Sequence, residues 1–131
     1  MAQGYVDNQY WKSQVMTASP GRLLLMTYDG GLRFLRLAGD AMARKDLENQ
    51  HINILKAQSI VLELINTLDH SINSQLAGDL EQIYRYVYDR LTEANVRDDL
   101  RALREAETML TRLREAWAEA DAQMAQSPSR Q

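Results

Sequence analysis

The sequence contains no cysteine and only two prolines, Pro20 and Pro128. Without cysteine, the chain can form neither a disulfide nor a thiolate nucleophile, and it cannot hold zinc through cysteine ligands. Charged residues interrupt every long apolar stretch, which argues against a membrane-spanning helix. The first residues, MAQGYVDNQYW, include neither a basic region nor an apolar run, so no signal peptide is expected. These absences predict a soluble cytoplasmic protein.

The charge balance also lacks a strong excess of one sign. Fifteen Lys and Arg residues stand against eighteen Asp and Glu residues, for a net charge of −3. A chain of this charge without a basic block is a poor candidate for binding nucleic acid or anionic membranes. Its length of 131 residues and its hydrophobic content of 45% are those of one folded domain.

Between the two prolines, apolar residues recur every three or four positions, and no sustained alternation of apolar and polar residues occurs. This pattern predicts an all-α protein with helices at about 20–45, 46–68, 73–96 and 98–125. Each helix begins at a residue able to cap it, namely Ser19 followed by Pro20, Asp46, Asn73 or Ser71, and Asp98.

Short connections favour antiparallel neighbours, so we expect an up-down four-helix bundle over residues 19–125. Residues 1–18 are predicted to form a mobile or loosely docked N-terminal segment. Residues 126–131 are predicted to be a disordered tail, because polar terminal segments are usually disordered.

The first helix is the unusual one, with the sequence TASPGRLLLMTYDGGLRFL at residues 17–35. Its apolar arc is roughly 260° wide, whereas a core-facing stripe needs little more than about 100°. Gly30 and Gly31 each cost about 1 kcal/mol relative to alanine inside a helix, and close approach of another backbone usually compensates for such a cost. This helix is therefore either central in the bundle or apolar on one face for a partner. A tight crossing within the protein is the simpler interpretation of the glycines.

Catalytic and metal-binding patterns are poorly represented. A di-iron bundle needs two Glu-x-x-His pairs, and only Glu48 with His51 has this spacing, since Thr67 precedes His70 by three residues. Asp29 is expected to pair with Arg33 on the surface of the first helix. We therefore expect no enzyme activity, metal or cofactor, and a metal–carboxylate enzyme remains a remote alternative.

The stretch at residues 17–35 closely resembles the opening of the flagellin export chaperones, the FliS family of the flagellar type III secretion pathway. The likeness continues in order with KAQSIVLELINTLD (56–69), LEQIYRYVYDRLTEAN (80–95) and LREAW (113–117), and it covers about residues 10–120. The chain departs from the family pattern at Thr27, where an apolar residue is usual, and at Gly31, where alanine or another small residue is common.

This resemblance implies a cytoplasmic antiparallel bundle that binds the disordered C-terminal segment of flagellin and prevents its premature polymerisation. It also implies delivery to the export gate protein FlhA, without a cofactor. Such a guest folds into helices on an apolar groove. The chain is expected to be a monomer or weak dimer when free. The alternative is a helical scaffold or adaptor bundle that uses the same face to self-associate.

Two sets of residues are candidates for these contacts. The flagellin groove is predicted from apolar or aromatic residues outside the narrowest core stripes, which are Met26, Leu37, Ile52, Ile60 and Tyr86. For each of these, burial in the bundle or isolated surface exposure is the alternative. A gate over the groove, or a contact with the export gate, is predicted for Tyr10, Trp11 and Val15, with permanent docking as the alternative. The core is predicted to include Leu62, Ile65, Leu80, Tyr84, Leu110 and Trp117.

Overall fold

The computed structural model describes residues 19–125, and over that range the chain forms four helices and no strand. They are α1 (Pro20–Ala43), α2 (Leu47–Asn66), α3 (Ser74–Arg97) and α4 (Leu100–Ala125). Consecutive helices pack against each other, and α4 packs back against α1. The predicted all-α, up-down four-helix bundle is confirmed. The expected N-terminal segment, with Tyr10, Trp11 and Val15, and the tail at 126–131 lie outside the described residues.

Local capping explains where three of the helices begin. The Ser19 hydroxyl accepts from the Arg22 backbone N–H at 3.2 Å, which caps α1 as predicted. Asp46 accepts from the backbone N–H of Asn49 at 3.1 Å and caps α2. Asn73, rather than Ser71, caps α3. These short polar side chains satisfy N–H groups that have no partner within the helix.

The predicted cap of α4 was wrong by one residue. Asp98 has left-handed backbone angles, with φ at 53°, and it ends α3 instead. Asp99 follows, and its carboxylate accepts from the backbone N–H groups of Arg101 at 2.9 Å and Ala102 at 3.3 Å. Asp98 thus ends α3, and Asp99 caps the start of α4. A sequence pattern does not reveal which of the two adopts the left-handed conformation.

The first helix also ends earlier than its apolar spacing suggests, at Ala43 rather than Lys45. Lys45 is left-handed, with φ at 58°. The Asp46 N–H donates to the Ala41 carbonyl at 2.8 Å, and the Lys45 N–H donates to the Met42 carbonyl at 3.1 Å. This is the hydrogen-bonding pattern of a Schellman motif, which reverses the chain sharply into α2.

The core lies along the bundle axis and receives residues from all four helices. Of the residues assigned to it from sequence, Leu80, Tyr84 and Leu110 are buried, and Ile65 and Trp117 pack against it half-buried. The assignment of Leu62 was wrong, because its side chain is 43% exposed. The core-facing residues of α2 are instead buried apolar side chains such as Ile54, Ala57, Val61 and Leu64.

The role of the paired glycines follows from how α1 packs. This helix packs mainly against α2 and α4, so it occupies a corner of the bundle rather than its centre. A Cβ atom on Gly31 would lie 3.3 Å from Cγ2 of Ile60, and one on Gly30 would lie 3.4 Å from Cδ1 of Ile60. The glycines therefore admit a branched side chain of α2. The neighbour is a side chain, so the predicted close approach of another backbone at the glycines stays a prediction.

Candidate partner-binding surface

The outer face of α2 carries a second apolar stripe, on the side of the helix away from the core. It consists of Ile52, Leu55 and Leu62. Leu55 follows Ile52 by three residues and Leu62 follows Leu55 by seven, so the three side chains lie on one helix face. They are 39%, 47% and 43% exposed, respectively. We call these three residues the α2 stripe. A helix that is apolar on two faces packs one of them in the core and leaves the other available to a partner.

Polar contacts hold α2 in place on both sides of the stripe. Toward α1, the Lys56 ammonium lies 5.5 Å from the centre of the Phe34 ring, a cation–π contact. Toward α3, the buried Gln58 amide donates to the hydroxyl of Thr92 at 2.8 Å and to a backbone carbonyl of α3 at 3.1 Å. The stripe is therefore presented on a helix that is fixed against both neighbours.

A buried aromatic network joins the other helices. The hydroxyls of Tyr28 in α1 and Tyr84 in α3 are hydrogen-bonded, and Nε1–H of Trp117 in α4 donates to the Tyr28 hydroxyl at 3.1 Å. Burial raises the pKa of both tyrosines above the ordinary value, and the hydrogen bond with Tyr84 raises the pKa of Tyr28 further. Both hydroxyls are therefore protonated at neutral pH. They tie three helices together.

The residues predicted for the flagellin groove lie at several places. Ile52 belongs to the α2 stripe, and Ile60 is half-buried on the glycine pair of α1. Met26 is buried, so contact with a partner would require its cover to move. Leu37 is exposed in a shallow depression between α1 and α4.

The fifth residue, Tyr86, is exposed on α3, and its hydroxyl donates to the Glu105 carboxylate of α4 at 3.0 Å. This bond turns the ring toward α4. The five residues are thus spread over three helix–helix contacts and the outer face of α2. Their role in binding stays a prediction. The predicted roles of Tyr10, Trp11 and Val15 fall outside the described residues.

Sequence reasoning missed Leu55 and Leu62 as surface residues. The signal was their spacing from Ile52, which repeats on the side of α2 opposite Ile54 and Val61. A helical wheel gives directions around one helix, but only the positions of the neighbouring helices tell which directions are covered.

The polar clusters have structural partners. Nδ1 of His51 hydrogen-bonds to the Asn95 amide at 2.8 Å, and Nε2 of His70 lies 3.3 Å from a Glu81 carboxylate oxygen. Within residues 19–125, no group of three or more His, Cys, Asp or Glu side chains is arranged to hold a metal ion. Over the same range, no helix is both long and apolar enough to cross a membrane.

The sequence comparisons agree with the resemblance noted above. Residues 1–124 match the model of the family described as flagellar protein FliS. The chain belongs to this family. It is 41% identical to the flagellar secretion chaperone FliS of Bacillus subtilis, over 85% of this chain and 82% of that relative. The FliS family resemblance drawn from four sequence blocks is confirmed.

Two further FliS family relatives have similar coverage. The flagellar secretion chaperone FliSB of Pseudomonas aeruginosa is 36% identical, over 81% of this chain and 84% of the relative. The flagellar secretion chaperone FliS of Salmonella typhimurium is 33% identical, over 81% of this chain and 79% of the relative. Alignments of this length extend over most of the bundle, so the likeness concerns the whole domain rather than one motif.

Proposed function

We propose that this chain is a cytoplasmic export chaperone for flagellin and that the α2 stripe is part of the surface that holds its guest. The guest is the disordered C-terminal segment of flagellin. Binding keeps flagellin from polymerising early, and the complex is delivered to the export gate protein FlhA. The observation that carries the proposal is an exposed apolar helix face on the bundle of a FliS family member.

The chemistry of the stripe suits a guest that folds as it binds. A disordered segment that forms an amphipathic helix lays its apolar side chains into a groove at helical spacing. Ile52, Leu55 and Leu62 offer anchors along about three turns of α2. A fully buried leucine contributes about 1.5–3 kcal/mol. Because half of each side chain is already covered, roughly half that amount is available per residue.

Calorimetric titration with the C-terminal segment of flagellin tests this proposal. We expect one-to-one binding with a micromolar or lower Kd, a negative heat-capacity change and a gain of helix by circular dichroism. The double substitution L55Q/L62Q removes two anchors. It should weaken binding by about 10–150-fold, the equivalent of roughly 1.5–3 kcal/mol.

A matched control separates the stripe from general loss of surface hydrophobicity. Ile72 and Met124 are exposed apolar residues elsewhere on the bundle, and I72Q/M124Q should leave the Kd within about twofold. Equal weakening by both double variants would reject the α2 stripe as the site. Absence of binding by the folded wild-type chain would reject the guest itself.

Light scattering of the free chain tests the alternative of self-association through the same face. We expect a monomer or a weak dimer that the flagellin segment dissociates. A stable dimer that the segment does not dissociate, and that L55Q/L62Q breaks, would favour the scaffold.

The predicted gate at Tyr10, Trp11 and Val15 is tested by the same titration. If these side chains cover the groove, replacing Tyr10 and Trp11 by alanine should tighten flagellin binding. If they contact the export gate, the substitutions should leave flagellin binding unchanged and weaken capture of the complex by FlhA. An unchanged result in both measurements would reject both roles.

A further inference from the structure

A positively charged surface lies on the opposite corner of the bundle from the α2 stripe. Five exposed arginines form it, and we call them the arginine face: Arg33, Arg36, Arg101, Arg104 and Arg112. The two arginines of α1 and Arg104 border a shallow depression between α1 and α4. Arg104 also borders a second depression along α4 with the remaining two. Arg104 therefore lines both depressions.

Three carboxylates, those of Asp40, Glu105 and Glu107, border the same two depressions as the five arginines. Glu107 pairs with Arg104 at 3.2 Å, whereas Glu105 pairs with Arg90 of α3 at 2.7 Å. The pair expected between Asp29 and Arg33 does not form in the described part of the chain. Asp29 instead pairs across to Arg114 of α4 at 2.9 Å, because that helix packs alongside α1.

Within residues 19–125, Arg33, Arg36, Arg101 and Arg112 make no ion pair. Unpaired guanidinium groups are thus gathered on one face of a protein whose net charge is −3.

Apart from the capping carboxylate of Asp99, the order of charges along α4 does not favour that helix. Arg101 and Arg104 lie near its N-terminus, and Glu119 and Asp121 lie near its C-terminus. No acidic residue occurs in the first turn and no basic residue in the last. A helix macrodipole favours the reverse arrangement. The macrodipole of α4 therefore gives Arg101 and Arg104 no stabilising role, and their exposed guanidinium groups are available to an external ligand.

The apolar surroundings indicate what kind of ligand fits. Leu37 and Leu100 are exposed beside the arginines, and Met109 is half-buried there. A guanidinium group is a planar fork that binds a carboxylate through two parallel hydrogen bonds, which a lysine does not do. A surface that combines such forks with leucine and methionine side chains is complementary to a helix that carries both carboxylates and apolar groups.

We propose that the arginine face binds an acidic amphipathic helical segment of a protein partner. The helices α2 and α4 occupy opposite corners of the bundle, so the α4 part of this face, with Arg101, Arg104 and Arg112, lies away from the α2 stripe. The proposal therefore does not rest on flagellin binding. It gives the bundle a second docking surface that can be occupied while the first holds a guest.

A synthetic probe tests the charge and the location together. The probe is a fluorescein-labelled amphipathic peptide built from leucine, alanine and glutamate, and its control has glutamine at every glutamate. Fluorescence anisotropy with the full chain at low salt should give micromolar binding of the acidic peptide and about tenfold weaker binding of the control. Added salt should weaken the acidic peptide alone. Amide chemical-shift changes should map to α1 and α4.

Two triple variants of equal charge locate the site. R36Q/R104Q/R112Q should weaken binding of the acidic peptide by about tenfold or more. R44Q/R85Q/R97Q removes three exposed arginines elsewhere and should change it by less than about twofold. Equal weakening by both variants would mean that net charge alone attracts the peptide, which would overturn the proposal.

Three other outcomes would also overturn it. These are no binding of the acidic peptide, shift changes confined to the α2 stripe, and tighter binding of a single-stranded DNA oligonucleotide than of the peptide at the same arginines. The last would indicate a nucleic-acid surface. Failure of flagellin to bind in the calorimetric experiment would leave each of these readouts unaffected.

Discussion

In the buried aromatic network, removing the hydroxyl of Tyr28 should destabilise the bundle more than removing the hydroxyl of Tyr84. The Tyr28 hydroxyl has two partners, Tyr84 and Trp117, whereas the Tyr84 hydroxyl bonds to Tyr28. The Tyr28 side chain is fully buried and Tyr84 is 2% exposed. Water therefore cannot readily replace a lost partner, and the structure itself sets an order of effects.

The magnitudes follow from the number of bonds broken. Tyr28→Phe removes two hydrogen bonds, each worth about 1 kcal/mol net, and leaves the Tyr84 hydroxyl without a partner in the core. We expect the free energy of unfolding to fall by about 2–3 kcal/mol. Tyr84→Phe removes one bond and leaves Tyr28 bonded to Trp117, so about 1 kcal/mol is expected.

The double variant decides whether the bonds form one network. Once both hydroxyls are absent, no tyrosine oxygen is stranded, so the double variant should cost about as much as Tyr28→Phe alone. Urea unfolding followed by far-UV circular dichroism measures all three values on one scale. If the double variant instead costs the sum of the two single variants, within about 0.5 kcal/mol, the reasoning is refuted, because the effects of independent sites add. Equal costs for the two single variants would refute the assigned bonding order.

The same network predicts a loss of stability at alkaline pH. The pKa of each buried tyrosine is raised in the folded state, so the unfolded chain releases these protons first. The free energy of unfolding keeps its full value below the ordinary tyrosine pKa of 10.0 and falls as the pH rises above it. The slope approaches about 1.4 kcal/mol per pH unit for each tyrosine. Tyr28→Phe should flatten the slope between pH 10 and higher values; an unchanged slope would contradict the prediction.

Three further substitutions test helix packing and helix ends, each by urea unfolding against the wild type. Gly39→Ala should stabilise the bundle by about 1 kcal/mol, since the new Cβ would lie 3.6 Å from a Leu103 methyl group, which is an ordinary contact. Destabilisation would mean that α1 and α4 pack more tightly there than described. Lys45→Gly should also stabilise, by about 1 kcal/mol, because glycine adopts the left-handed conformation without strain; no gain would place the strain elsewhere. Ser19→Ala should cost about 0.5–2 kcal/mol through loss of the cap while flagellin binding persists, and a folded variant that no longer binds would contradict a purely structural role.

Part of the candidate binding surface could be predicted from the sequence, and part could not. Ile52 was recognisable because its apolar side chain lies outside the main stripe of α2. The helical wheel places Leu62 at the edge of that stripe and so assigns it wrongly to the core, and it gives no indication for Leu55. Whether such a border position is covered depends on where α1 and α3 lie beside α2, and that information is absent from the periodicity of one helix.

The sequence by itself determined the number of helices, their approximate bounds and three of the four N-caps, because periodicity and capping act over a few neighbouring residues. The same local patterns, in order along the chain, determined the family. Tertiary structure alone decided that Asp29 pairs with Arg114, that Ile60 fills the space at the glycine pair, and that five arginines share one face. Each of these depends on contacts between residues far apart in the chain. Such contacts are set by how whole helices pack, so neither partner's local sequence contains them.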